Sequence, residues 1–130
     1  LIAMEFFREV PIKATEEWIH SNFTLAKLSD FSNLPFVLEA QNTNQAQIGG
    51  IWGEFTLLRT EIKGGLRFAL KECPNALCWT ITTGYPPNPS AIILHLTINR
   101  TQIAAEFTEE INEFLDDHAA CISANIAVPA

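Results

Sequence analysis

The sequence predicts an α+β fold: a four-stranded antiparallel β-meander flanked by an N-terminal and a C-terminal helix packed on one face. Three observations predict it. Four consecutive segments alternate apolar and polar residues and are joined by turn-forming residues. A C-terminal stretch repeats apolar residues at the i, i+3, i+4 spacing of a helix stripe. Thr15, followed by Glu16 and Glu17, has the chemistry of a helix start.

Taken in order, residues 4–13 alternate in part and read as a short extra strand near 5–12, which Pro11 ends or confines to an edge. Thr15 caps the first helix, whose apolar side is Trp18, Ile19 and Phe23, and a further turn or two runs through Leu25 and Leu28. Residues 29–35 read as a connection and 36–40 as a second short strand. Residues 41–50 are polar, uncharged and amide-rich, and read as the longest loop, a mobile linker.

The four main strands are residues 51–62, 66–72, 77–83 and 90–99. Lys63, Gly64 and Gly65 supply the first link, a two-residue turn at Pro74 and Asn75 the second, and the proline-rich segment 84–89 the third. A two-residue turn at Pro74 and Asn75 sets Leu70 opposite Trp79 and Phe68 opposite Ile81. Leu66, Phe68 and Leu70 then share a face with Leu77, Trp79 and Ile81, and Ile92, Leu94, Leu96 and Ile98 form the matching row.

Thr101 is the expected cap of the last helix, where Ile103, Phe107, Ile111, Phe114, Leu115, His118 and Ile122 form one buried stripe. Its other side carries Glu106, Glu109, Glu110, Glu113, Asp116 and Asp117 without a basic residue. Residues 124–130 read as a tail, and Leu1, Ile2 and Ala3 as additions ahead of a natural start at Met4.

A length of 130 residues suits a single domain spanning 1–130, and 48% apolar residues suffice for a core without a disulfide or metal. The net charge of −7 argues against nucleic acid or an anionic membrane as partner and suits a basic protein. Cys73, Cys78 and Cys121 have no zinc-site spacing and read as reduced thiols of a cytoplasmic protein, with no metal or other cofactor expected. No secretory leader or membrane span is visible, so the sequons at Asn22 and Asn99 read as chance matches. Gly49-Gly50 and Gly64-Gly65 lack the lysine and the strand-to-helix setting of a phosphate loop.

The outer sheet face is the surface of most interest. It displays Arg67, Ala69 and Lys71, then Cys78, Thr80 and Thr82, then Ala91, Ile93, His95, Thr97 and Asn99. In 51–62 either Phe55, Leu57, Arg59 and Glu61 or Trp52, Glu54, Thr56 and Leu58 face outward, because a bulge at Gly53 would shift the phase. His95 is the candidate acid–base residue, with Glu54 to orient it and Cys78 as a nearby thiol. A hydrogen-bonded surface histidine is the simpler reading. His118 reads as a boundary histidine at the sheet edge, and His20 has no partner the sequence can name.

Nothing here amounts to a catalytic signature. The sequence therefore reads as a non-enzymatic interaction or assembly module, a homodimer using the outer sheet face or the acidic surface of Glu106, Glu109, Glu110, Glu113 and Asp117. The alternative is a small-molecule binder or modest enzyme with a pocket between sheet and helices. Trp18, Trp52, Trp79 and Tyr85 would line it, with His95 or Glu54 as the polar contact and Thr97 among the ligand-binding residues.

Overall fold

A computed structural model describes residues 4–34, 36–83 and 90–125. Among these residues seven strands form one sheet: β1 (Met4–Val10), β2 (Phe36–Asn42), β3 (Gln45–Gly49), β4 (Phe55–Ile62), β5 (Gly65–Leu70), β6 (Cys78–Thr83) and β7 (Ile92–Ile98). Their order is β1-β7-β6-β5-β4-β3-β2, and every neighbouring pair is antiparallel. The helices are α1 (Glu16–Asn22), α2 (Leu28–Phe31) and α3 (Ala105–Asn125), with a 3-10 turn at Leu25–Lys27. No helix of the described residues is long and apolar enough to cross a membrane.

The sheet is larger than the four strands expected. The segment near 5–12 is β1, which pairs along its whole length with β7, from Met4 opposite Ile98 to Val10 opposite Ile92. The segment 36–40 extends into β2, and 41–50 is a hairpin rather than a loop. The Asn42 side-chain oxygen accepts the Asn44 N–H at 2.9 Å and folds the turn. Backbone pairing is indifferent to amide side chains, and here these alternate outward while Ala46 and Ile48 are buried on the inner face.

Three details of the central strands also differ. The Pro74 link is longer than two residues and closes at Ala76, where φ is +50°. Phe68 is therefore opposite Trp79 and Leu66 opposite Ile81, a slip of two that leaves every side chain on its expected face. Gly53, at φ +107°, makes a turn with its N–H donating to the Gly50 carbonyl, so the strand starts only at Phe55 and Trp52 leaves the sheet. Leu57 and Arg59 point inward, and Thr56 and Leu58 outward.

The helices cover the inner face. The Thr15 hydroxyl accepts the Trp18 N–H at 3.1 Å, which starts α1 as the sequence predicts. Residues 28–31, partly assigned to a connection, form α2, whose Leu28 and Phe31 are buried. Thr101 does not cap α3. The helix begins four residues later, with the Phe107 and Thr108 N–H groups on the Ala104 carbonyl. Its stripe of Ile111, Phe114, Leu115, His118, Cys121 and Ile122 packs into the core with Phe68, Trp79 and Leu96. At Gly65 an added Cβ would lie 1.8 Å from the Ile81 carbonyl oxygen, so only glycine permits β5 to approach β6 there.

Candidate functional site

The interior between the sheet and α3 is built around Phe114. Its ring centroid lies 5.0 Å from that of Trp79 on β6, 5.2 Å from Trp52 on the turn before β4, and 5.6 Å from His118 one helical turn away. Trp79 stacks in turn on Phe68 of β5 at 5.4 Å. At this junction lies an apolar cavity of about 10 Å³, lined by Ile48, Trp52, Phe55, Leu70, Trp79 and Phe114 among others. A void of that size holds a water at most.

Three polar atoms are buried without a hydrogen-bond partner among the described residues: Nε1 of Trp52 and of Trp79, which line the cavity, and Nε2 of His118, whose ring packs near Trp79 and Phe114. His118 is fully buried, and its Nδ1 lies 2.5 Å from the Phe31 carbonyl oxygen. A carbonyl only accepts, so the ring proton sits on Nδ1 and Nε2 presents a bare lone pair. Burial pushes the His118 pKa down to about 4, although the Phe31 carbonyl and Asp117 both pull it upward. The imidazole is neutral at physiological pH. Asp117 is itself held by the Asn33 backbone and side-chain N–H groups, each at 2.9 Å.

A second space, an open groove of about 420 Å³, lies at the other end of β3 between Thr24, Leu25, Ala26, Val37, Asn42, Thr43 and Ala46. It is wider than the interior cavity, but none of the three unpartnered buried atoms belongs to its lining. The chemistry therefore points to the interior.

The structure divides the residues expected to form a site between the two faces of the sheet. Trp52 and Trp79 are in the interior, and Trp18 packs on Phe23 at 5.9 Å. His95 and Thr97 are on the outer face. Tyr85 lies outside the described residues. His95 stacks flat on Phe7 at 4.2 Å, and its Nε2 is 3.0 Å from a carboxylate oxygen of Glu5. Glu54 is exposed in the turn before β4, three strands from β7, so it does not orient His95. The Cys78 thiol meets the Thr97 hydroxyl at 3.3 Å instead of the imidazole. Strand β1 supplies the acidic partner of His95, which the sequence left unplaced.

Of the acidic helix surface, Glu106, Glu109 and Glu113 are exposed, while Glu110 and Asp117 are half-buried. Arg8 of β1 answers the neighbouring Asp116 at 2.7 Å and also donates to Asn112 at 2.8 Å. On the outer face, the Thr56 hydroxyl and N–H hold the Glu72 carboxyl below the usual carboxylate range. Among the described residues no cluster of three His, Cys, Asp or Glu side chains is placed to hold a metal ion.

His118 moves from the expected sheet edge to the middle of the interior. The signal was its place in the apolar stripe, three residues after Leu115 and four before Ile122. Phe114 was legible as core but not as the hub between two tryptophans.

No protein-family model matches this chain, and no curated protein matches it. Among solved structures, it is similar over 93% of its length to an uncharacterized protein from Bacillus thuringiensis, with 96% of that chain covered, 10% identity and a TM-score of 0.58. It is similar over 95% of its length to a START superfamily protein from Mycobacterium smegmatis, with 96% of that chain covered, 14% identity and a TM-score of 0.55. At such identities the likeness is one of fold alone. The chain thus shares a large antiparallel sheet with a C-terminal helix with these two proteins, a fold like that of the START superfamily protein.

Proposed function

We propose that this protein binds a small, largely apolar molecule between the inner face of the sheet and α3. The observation that carries the reading is the pair of unpartnered indole nitrogens on Trp52 and Trp79, two residues that line an otherwise apolar cavity. Leaving a buried polar group unmade costs about 1–3 kcal/mol, and a ligand with a few matched polar groups removes that cost. Sites of this kind are mostly apolar with a small number of placed polar contacts. The START-like fold supports the reading, since it is a ligand-binding fold.

Assembly through an exposed apolar patch has less support. Among the described residues the large exposed apolar side chains are Phe7 at one end of the sheet and Val37 and Leu38 at the other. Nor does the outer face bring Cys78 and His95 into contact for nucleophilic chemistry.

Titration with N-phenyl-1-naphthylamine, a neutral apolar fluorophore, tests the proposal. Saturable enhancement of its emission at one site per chain, with matching quenching of tryptophan, is expected. Linear, unsaturable uptake or none would sink the pocket reading.

A further inference from the structure

We infer that the groove between the 3-10 turn at Leu25–Lys27 and the β2–β3 hairpin is a second binding site, and that it takes an uncharged aliphatic diol or polyol. It is separate from the interior site proposed above. Its space of about 420 Å³ is on the scale of sites that hold small molecules, about 300–1,000 Å³. One wall is Thr24, Leu25 and Ala26, and the other is Val37, Asn42 and Thr43. Ala46, buried on the inner face of β3, completes the lining.

Both walls are tied to one buried side chain. Arg59 donates from Nε to the carbonyl oxygen of Phe23, the residue before Thr24, at 3.0 Å. From Nη1 it donates to the side-chain oxygen of Asn44, the residue after Thr43, at 3.3 Å. The Arg59 backbone N–H adds a bond to the Asn44 carbonyl at 2.9 Å, and the Asn42 side chain holds the Asn44 N–H. The spacing of the walls is thus set before a ligand arrives, which lowers the ordering cost of binding.

The lining selects the chemistry. Among the described residues it contains no charged side chain and no aromatic ring. A charged ligand would give up water without meeting a counter-ion. Arg59 is not part of the lining, and its guanidinium is spent on His20, Phe23 and Asn44, with Glu61 at 3.8 Å. The polar edges are the Thr24 and Thr43 hydroxyls and the Asn42 amide. Thr24 precedes the 3-10 turn without capping it, and neither hydroxyl nor the Asn42 NH₂ group has a partner among the described residues. A hydroxyl donates and accepts, whereas the amide nitrogen only donates. A ligand hydroxyl answers both kinds from one atom, and an ether or ketone oxygen can only accept. Leu25, Ala26, Val37 and Ala46 offer aliphatic contact, which suits a saturated body.

Three probes titrated into the full ¹⁵N-labelled chain by NMR test the inference: trans-1,2-cyclohexanediol, trans-1,2-dimethoxycyclohexane and the cationic trans-1,2-diaminocyclohexane. The diol should give saturable shifts of the Thr24, Leu25, Ala26, Thr43 and Ala46 amides, and the other two should bind about fivefold more weakly. The double variant Thr24→Val, Thr43→Val keeps side-chain size and removes both hydroxyls. It should bind the diol about tenfold more weakly and treat diol and ether alike to within about twofold. Thr43 is exposed in the hairpin turn, so Thr43→Val alone serves if the double variant does not fold, with about threefold weakening expected.

An unchanged affinity for the diol in these variants overturns the assignment to the threonines. Ether or diamine binding as tightly as the diol overturns the ligand class. No response at the groove amides overturns the site, and shifts confined to the surroundings of Trp52 and Trp79 do so while leaving the interior reading intact. Failure of N-phenyl-1-naphthylamine to bind removes the interior reading alone.

Discussion

Arg59 of β4 donates from Nε to the Phe23 carbonyl oxygen at 3.0 Å and from Nη2 to the His20 carbonyl oxygen at 2.8 Å. A cation buried in the core thus closes the C-terminal end of α1, where the last carbonyls of a helix lack partners and carry partial negative charge. The nearest carboxylate, Glu61, is 3.8 Å from Nη1 and more than half exposed. Burial lowers the Arg59 pKa, and Glu61 works the other way.

Replacing Arg59 by Met keeps the aliphatic stem and removes every one of these hydrogen bonds. Urea unfolding should show a loss of about 2–4 kcal/mol. Arg8→Met, which breaks an ion pair with the exposed Asp116, should lose less than about 1 kcal/mol. Similar losses for the two variants would mean that the carbonyl contacts of Arg59 contribute little.

His118 gives stability a pH dependence whose sign follows from its burial. The unfolded chain takes up a proton on this ring near the ordinary value of about 6.5. The folded chain does so only at about 4. Between those values the unfolded state binds more protons, so stability is fully present above pH ~6.5 and falls as the pH drops towards 4. The whole difference amounts to about 3 kcal/mol. His118→Gln does not titrate and retains a donor for the Phe31 carbonyl. Its urea midpoint should fall less steeply than that of the unaltered protein from pH 7 to pH 5, and parallel slopes would contradict the argument.

Phe114→Ala should cost about 3–5 kcal/mol, the range for truncating a buried phenylalanine. It should also merge the space vacated by the ring with the existing cavity beside Trp52 and Trp79. Benzene should then raise the melting temperature of the variant by more than that of the unaltered protein. A small loss with no response to benzene would show that the neighbouring side chains collapse into the gap.

His95→Ala tests the separation of the two sheet faces. His95 touches Phe7 and Glu5 on the outer face and nothing in the interior. The affinity for N-phenyl-1-naphthylamine should stay within about twofold, and the stability loss should be about 1 kcal/mol or less. Loss of probe binding with the fold intact would return the site to the outer face.

The core was legible where period and turn chemistry agreed. Leu66, Phe68, Trp79, Ile81, Leu94 and Leu96 are all on the face their alternation assigns. The two-residue slip in register escaped notice because a period of two conceals it. Strand β3 was read as loop because its outward Gln45 and Gln47 outweigh its two inward residues, Ala46 and Ile48. The candidate site was half legible. Trp52 and Trp79 were named from size and amphipathic character, whereas their grouping with His118 depends on how α3 crosses the sheet, a relation no local pattern encodes. The pairing of Glu5 with His95 likewise needs the N-terminal strand to join the far edge.

The polar ties on α3 are unevenly spread. Arg8 grips Asp116 and Asn112 on one flank, Asn33 grips Asp117 on the other, and Asn125 donates to the Asp30 carbonyl near the end. All of them lie from residue 112 onward, and among the described residues the first turn offers aromatic contact, Phe107 against Trp52 with centroids at 6.2 Å. The helix is thus riveted at its middle and far end and merely leans at its beginning. Local opening falls to the weakest-held segment, so the amide hydrogens of the first turn should exchange with solvent well before those around Asp117. The end that frays first is the end resting on Trp52, beside the small cavity, and fraying there uncovers the interior without releasing the helix from the sheet.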